Sequence, residues 1–319
     1  MYIPEEEVRS LLTYDTLIPA IRAALIDYSA GKDEKSKVVQ PPRSILRPGD
    51  KDWFAVMPVI HDEVMGVKSV TFFPGNTELG LHTHMAIITL FSRRTGEPLA
   101  VMDGRLITAM RTAAVSAVTL DALASPDVRS LGILGAGVQA RSHLQALRRV
   151  RPSLADIRIW SRTPARAEQL AAESGVPGDR SSSLGWKSGA RSTTIEEAAS
   201  SDVVLTATAS PTPVLQGRWL SPRAVILAVG AVGAHLRELD DEAVLSSYVV
   251  AESRQAVERE SGDILLSGAK VQAEIGEILA NPVHPVPRGS RILFKSVGMA
   301  LEDLVAAHLV WQARTGRQS

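Results

Sequence analysis

The chain of 319 residues contains no cysteine. Disulfides, thiolate nucleophiles and Cys-ligated zinc or iron–sulfur centres are therefore excluded, and a reducing compartment fits. Net charge is missing too, because 35 Lys and Arg are matched by 35 Asp and Glu. A protein that grips nucleic acid or an anionic membrane would carry a basic excess, so neither partner is expected. Aromatics are few, with five Phe, five Trp and four Tyr, which leaves Ala, Val, Leu and Ile to build the core. No apolar run approaches the ~18–20 residues of a membrane span, and the opening Met1 to Glu7 is acidic where a signal peptide would be basic. The expectation is a soluble, cytoplasmic protein.

At ~100–200 residues per domain, the length suggests two domains or one large one. Leu17, Ile21, Ala24, Leu25 and Tyr28 recur at helical spacing before Gly31. From Val38 to Asp103 the texture changes to short β-rich runs: Val38–Gln40, Trp53–Met57, Gly66–Phe73, Met85–Phe91 and Leu99–Met102. Strands that follow one another without intervening helices predict an antiparallel sheet. Asp103-Gly104 then introduces an Ala-rich helix from Leu106 to Leu123. Beyond Arg129 strands and helices alternate: strand Ser130–Leu134, helix Gln139–Arg149, strand Ile157–Trp160, helix Pro164–Ser174, and strands Val203–Ala207 and Ala224–Val229. That alternation predicts a parallel sheet and an α/β fold. The stretch from Gly175 to Ser192, rich in Gly, Ser and Arg, reads as an exposed loop, and Met299–Arg314 as an amphipathic helix.

The most specific local signal is Gly135-Ala136-Gly137-Val138-Gln139-Ala140, a GxGxxA turn between a strand and a helix. Gly135 permits the turn, Gly137 lets the backbone approach a pyrophosphate, and small Ala140 lets the helix pack on the strand. A dinucleotide is the expected ligand, its phosphates on the N–H groups of the helix start. At the end of the next strand, where an NAD site carries an acid for the ribose hydroxyl, the chain reads Ser161-Arg162-Thr163. A guanidinium between two hydroxyls suits the 2′-phosphate, so NADP(H) is expected in preference to NAD(H). The bland alternative is that Thr163 caps the following helix while Arg162 is solvated.

In the first half Arg43 follows two prolines, Lys68 interrupts an apolar strand, and Arg111 lies early in the Ala-rich helix. Lys68 either faces solvent or points into a cavity. Converging, the three cations would make a carboxylate site; apart, they are surface charges. His82 and His84 at i, i+2 share a strand face, but without Cys or an HExxH helix no metal is expected. No serine sits in a nucleophile elbow.

The stretch Val101 to Ala117 resembles the signature of the ornithine cyclodeaminase/mu-crystallin family, as do Ile133–Ala140, Glu260–Asp263 and Phe294–Asp303. The resemblance runs in order over nearly the whole chain. It implies a substrate-binding and dimerisation domain, residues 1–118 with 298–319 returning to it, and a Rossmann NADP-binding domain, residues 119–297. It also implies a homodimer and an active site in the cleft between domains. On the matching positions, Arg43, Lys68 and Arg111 would hold the substrate carboxylate and the reacting nitrogen end, with His84 beside the pocket. Val229, Gly230, Lys295 and Ser296 would close around the nicotinamide, and Thr206 is counted with them.

Cyclodeaminases of the family carry an acid where this chain has Val232, and tend to carry another where it has Met57. Their loss disfavours cyclodeamination and leaves hydride transfer intact, which points to the mu-crystallin-like ketimine reductase branch. The expected activity is NADPH-dependent reduction of C=N bonds next to a carboxylate. Alternatives are an alanine or opine-type dehydrogenase, a residual ornithine cyclodeaminase, or a non-catalytic NADPH-binding crystallin-like protein.

Overall fold

The computed structural model describes residues 1–31, 36–174, 189–281, 283, 286, 287 and 289–316. The chain forms two compact units, Met1–Val115 with Gly298–Ser319, and Ser116–Val297. The division falls within one long helix.

The first unit begins β1 (Tyr2–Ile3), α1 (Glu5–Leu11), α2 (Tyr14–Ala30), β2 (Val38–Val39) and β3 (Ser44–Leu46). It continues β4 (Trp53–His61), β5 (Val64–Phe72), β6 (His84–Ser92), β7 (Pro98–Asp103) and α3 (Arg105–Leu123), which crosses into the second unit. The sheet order is β1-β7-β6-β5-β4-β2, with β3 on β4. As the uninterrupted strands predict, β4 to β7 form an antiparallel meander, while β1 adds a parallel edge that the sequence reading missed. Period-two alternation turns Ala55, Met57, Val59, then Gly66, Lys68, Val70, then Ala86, Ile88, Leu90 to one side. His84 opens β6, whereas His82 lies outside it, so the two histidines do not share a strand face.

Helix α3 starts where the Asp103 carboxylate accepts from the Arg105 backbone N–H at 2.9 Å. With a mean hydropathy of 1.4 it is long and apolar enough to cross a bilayer, contrary to the expectation that no segment approaches this. The helix is 78% buried in its most apolar window, as a core helix is.

The second unit begins β8 (Ser130–Leu134), α4 (Val138–Val150), β9 (Asp156–Trp160), α5 (Pro164–Ser174), β10 (Gly189–Ser192), α6 (Ile195–Ala199), β11 (Val203–Thr206) and β12 (Val225–Ala228). There follow α7 (Asp241–Leu245), β13 (Ser247–Ala251), α8 (Arg254–Glu260), α9 (Gly262–Ser267), β14 (Ala273–Glu274), α10 (Ile275–Ala280) and β15 (Arg291–Lys295). These strands form one parallel sheet of order β10-β9-β8-β11-β12-β15-β13-β14. Strand order reverses between β8 and β11, the switch point at which a Rossmann sheet binds its ligand beyond the strand ends. The loop expected over 175–192 is corrected at its end, where Gly189–Ser192 pairs with β9; residues 175–188 lie outside the described residues.

The last helix, α11 (Ala300–Thr315), belongs to the first unit and packs on α2, β4, β5 and β6. It is not the simple amphipathic helix expected: Leu301, Glu302, Asp303, Leu304, Val305, Ala306 and Ala307 are buried in succession. Its close approach to the sheet depends on Gly66, where a Cβ would stand 2.6 Å from the Thr89 carbonyl oxygen and 2.8 Å from Leu304 Cδ1. Gly66→Ala is expected to cost ~1–3 kcal/mol by overpacking, read from the urea midpoint at constant slope; an unshifted midpoint would show that the contact is slack.

Candidate active site

Lys68 sits on β5 directly across from Met57 on β4 and Ile88 on β6. Both neighbours are buried, and Lys68 itself is only 3% exposed. The choice left open by its sequence is thus decided: it points inward. Burial alone would discharge an ammonium there. Asp303, from the first turns of α11, answers with Oδ1 at 3.0 Å and Oδ2 at 3.1 Å from Lys68 Nζ. The same Oδ1 accepts from Arg111 Nε at 3.1 Å, and Arg111 Nη1 donates to Glu302 Oε2 at 2.6 Å. Arg43 donates through Nη2 to the Gly298 carbonyl. Gly298 has a φ of +82°, and a Cβ there would lie 2.7 Å from Arg111 Nη1, so this position both needs and exploits glycine.

The three cations therefore converge, and two acids converge with them. Burial, then the charges of Arg111 and Arg43, outweigh Asp303 and bring the Lys68 pKa down to about 8. The Asp303 carboxyl is held below the usual carboxylate range because Arg111 and Lys68 more than offset its burial. His84 is brought down to about 4 by burial and by the charges of Lys68 and Arg111, so its imidazole is neutral near pH 7. An ammonium has three N–H donors, and two are directed at Asp303; the third has no partner among the described residues. Three donors of fixed geometry, one of them carrying a mobile proton, can hold a carboxylate and protonate a neighbouring nitrogen. Sequence reasoning missed Glu302 and Asp303 as partners. Their position in the first turn of a helix reads as ordinary compensation of its dipole.

In the second unit the GxGxxA turn has the predicted form. Gly135 adopts φ +118°, and its N–H donates to the Trp160 carbonyl at 2.8 Å, tying the turn to the end of β9. A Cβ at Gly135 would meet the Ala207 carbonyl oxygen at 2.5 Å, whereas one at Gly137 would meet nothing within 4 Å. The backbone is therefore tight on the strand side and open at the N-terminus of α4, where Val138 is 68% exposed. A depression of about 230 Å³ lies there, lined by Ala136, Gly137, Val138, Arg141, Arg166 and Gln169. Gln139 keeps a buried side-chain oxygen without a hydrogen-bond partner among the described residues. These features fit a dinucleotide pyrophosphate.

Arg162 and Thr163 are exposed just beyond β9, and Ser161 Oγ accepts from the Thr163 N–H at 3.3 Å. Arg166, in the first turn of α5, was not singled out from the sequence. Neither Arg162 nor Arg166 has a side-chain partner among the described residues, whereas Arg141 is paired with Glu173 at 2.8 Å.

Two expected cofactor residues are employed otherwise. Thr206 is fully buried and donates to Glu238 Oε2 at 3.0 Å, and Lys295, also fully buried, pairs with Asp263 Oδ2 at 2.9 Å and donates to the Ala231 carbonyl at 2.9 Å. Glu238 is the hub. Its carboxylate also accepts from the Thr208 N–H and hydroxyl and from the N–H groups of Gly230 and Ala231, at 2.6 to 3.0 Å. Burial pushes its pKa up, yet so many donors require the ionised form. Thr206 and Lys295 thus brace the Val229-Gly230-Ala231 segment from behind. Ser296 is buried and its N–H continues the ladder to the Ala228 carbonyl at 3.1 Å.

A family model described as the ornithine cyclodeaminase/mu-crystallin family matches residues 1–317. A ketimine reductase mu-crystallin from Mus musculus is 40% identical over 316 residues, covering 98% of this chain and 96% of that protein. Among solved structures, Thermococcus litoralis Delta(1)-pyrroline-2-carboxylate reductase in complex with NADH and L-proline matches with a TM-score of 0.89 and 33% identity over 99% of this chain and 98% of the other. An archaeal alanine dehydrogenase dimer with bound NAD matches with a TM-score of 0.89 and 28% identity, covering 100% and 98%. Matched by the family model over residues 1–317 and 40% identical to a member across nearly its whole length, this protein belongs to the ornithine cyclodeaminase/mu-crystallin family.

Proposed function

We propose that the chain is an NADPH-dependent reductase of C=N bonds adjacent to a carboxylate. Its substrates are cyclic ketimine acids such as pyrroline- or piperideine-2-carboxylate, or imines formed from 2-oxo acids and amines. The observation that carries this reading is the buried Lys68, grouped with Arg43 and Arg111 and keeping one N–H without a partner among the described residues. The ketimine and pyrroline-carboxylate reductases to which the chain is similar support it.

Reduced nicotinamide, when bound, supplies the hydride. The residues of the GxGxxA turn hold its pyrophosphate, and Arg162 with Arg166 takes the 2′-phosphate. Arg43 and Arg111 hold the substrate carboxylate, which fixes the imine carbon for attack. Lys68 gives its proton to the imine nitrogen as the C=N π pair moves there, and solvent restores it. His84 stays neutral and contributes shape and a hydrogen bond rather than a proton. Met57 opposite Lys68, and Val232 in the segment after β12, leave the carboxylates of cyclodeamination without a counterpart at those two positions.

The outer face of the first sheet carries Tyr2 on β1 and, on β6, Met85 and Ile87, which alternate with buried Ala86 and Ile88; the three are 39% to 60% exposed. We assign this apolar face to a second copy of the chain, a reading supported by the dimeric alanine dehydrogenase. The protein is read as a cytoplasmic homodimer.

The decisive assay is NADPH oxidation with a panel of cyclic imine acids and 2-oxo acid/amine pairs; steady consumption is expected. Ammonia released from ornithine without net NADPH consumption would replace the reading with cyclodeamination. Lys68→Met is expected to lower kcat by ~10²–10⁴ while NADPH affinity is retained, and wild-type kcat/KM is expected to fall as pH rises through about 8, where Lys68 loses its proton. Unchanged turnover in the variant removes Lys68 from the chemistry. Arg162→Ala is expected to weaken NADPH by about tenfold, ~1.4 kcal/mol, and NADH little; equal losses would reject the 2′-phosphate assignment. Ile87→Glu is expected to convert the dimer to monomer in light scattering, and a variant that remains dimeric would place the contact elsewhere.

A further inference from the structure

We propose that Asp303 is the positioning residue that keeps Lys68 a protonated donor and leaves one of its N–H groups directed to the substrate nitrogen. The proposal rests on the reductase reading and adds the residue that makes the lysine usable. Asp303 lies 235 positions from Lys68 in the chain and reaches it with both carboxylate oxygens. Its own orientation is set independently, because Oδ1 also accepts from Arg111 Nε. A carboxylate held by two cations cannot turn freely, so the ammonium it grips cannot either.

The surroundings of Lys68 make this partner necessary. Met57 on β4 and Ile88 on β6 flank it on the sheet and offer no charge. Arg111 on α3 and Arg43 ahead of β3 repel its proton, and His84 at the start of β6 is uncharged near neutral pH. Glu302 on α11 is committed to Arg111 at 2.6 Å. Asp303 is therefore the carboxylate that answers the ammonium among the described residues. With it removed, a buried amine beside two guanidinium groups is left to shed its proton.

The proton balance is simple. Lys68 carries one proton, transfers it to the nitrogen as hydride reaches carbon, and becomes a neutral amine. Asp303 stays ionised throughout, its negative charge then compensated by Arg111, so no carboxylic acid forms. Uptake of a proton from solvent resets Lys68. Asp303 touches neither substrate nor cofactor in this scheme; it acts through the lysine.

The test compares full-length wild type, Asp303→Asn, Asp303→Glu and Glu302→Gln. The Lys68 titration is followed by ¹³C NMR of lysine labelled at Cε, with the signal assigned by its loss in Lys68→Met. In parallel, kcat and KM are measured against pH with a cyclic ketimine acid and NADPH. Asp303→Asn is expected to lower both the Lys68 midpoint and the alkaline limb of kcat/KM by about one pH unit or more, with kcat at pH 8 down at least about tenfold. Asp303→Glu keeps the charge on a longer arm; it is expected to hold the midpoint within about half a unit but to lose kcat, because the free N–H is re-aimed. Glu302→Gln is expected to leave the midpoint in place.

A midpoint in Asp303→Asn within about 0.3 of wild type overturns the proposal. So does wild-type kcat in Asp303→Glu, which would show that the aim of the N–H does not depend on Asp303. If Asp303→Asn does not fold, the Asp303→Glu pair of readings decides alone. Absence of imine turnover by the wild-type protein would sink the reductase reading instead, and the NMR midpoint would still report whether Asp303 holds the proton.

Discussion

An ammonium buried among aliphatic side chains has to be paired, and much of the first unit is arranged around that requirement. Strand alternation carries Lys68 to the inward side of β5, where Met57 and Ile88 strip it of water. Leaving such a charge alone would cost several kcal/mol, more than a typical single contact returns. The compensating carboxylate comes from the other end of the chain, on α11. The return of the C-terminal helix is therefore a chemical as well as a packing requirement. Without it, Lys68 and Arg111 would lose the carboxylates of Asp303 and Glu302. With it, they form an ion network whose orientation is fixed and in which one Lys68 N–H has no partner among the described residues.

Close approach is what makes the network possible, and glycines permit it at two places. At Gly66 any side chain would press on Thr89 and Leu304 and lift α11 off the sheet. At Gly298 the backbone takes a left-handed turn just before the helix, and the missing Cβ is where the Arg111 guanidinium lies. These positions hold no chemistry themselves. They set how near the chemistry can come.

The second unit solves a similar problem with the signs reversed. Here a buried carboxylate, Glu238, is satisfied by Thr206, Thr208, Gly230 and Ala231, and the pair Asp263–Lys295 stands behind it. The loops that follow β11 and β12 are thereby fixed to one point. A Cβ at Gly230 would fall 2.1 Å from the Thr208 carbonyl oxygen, so the two loops lie against each other as closely as backbones allow. A buried carboxylate bonded through both oxygens, as Glu238 is, holds a single arrangement because every alternative leaves a charge or an N–H unmatched.

What the sequence determined by itself is what depends on neighbours in the chain. Period-two runs, Gly and Pro punctuation and the Ala-rich helix made the meander β4–β7, the helices α3 to α5 and the turn at Gly135 legible, since backbone preference acts over a few residues. The short strands β3, β10 and β13 to β15 were not legible, because runs of two to five residues become strands only when a neighbouring strand accepts their hydrogen bonds. Arg43, Lys68 and Arg111 could be named from the chain and from the family resemblance, but whether Lys68 faced water or protein could not be read from alternation with Val67 and Ser69. The tertiary structure decided that, and it alone showed that Asp303 answers Lys68 and that Thr206 and Lys295 serve as internal braces. The physical reason is the same in each case: the pairing of a buried charge depends on distance in space, which the order of residues does not specify.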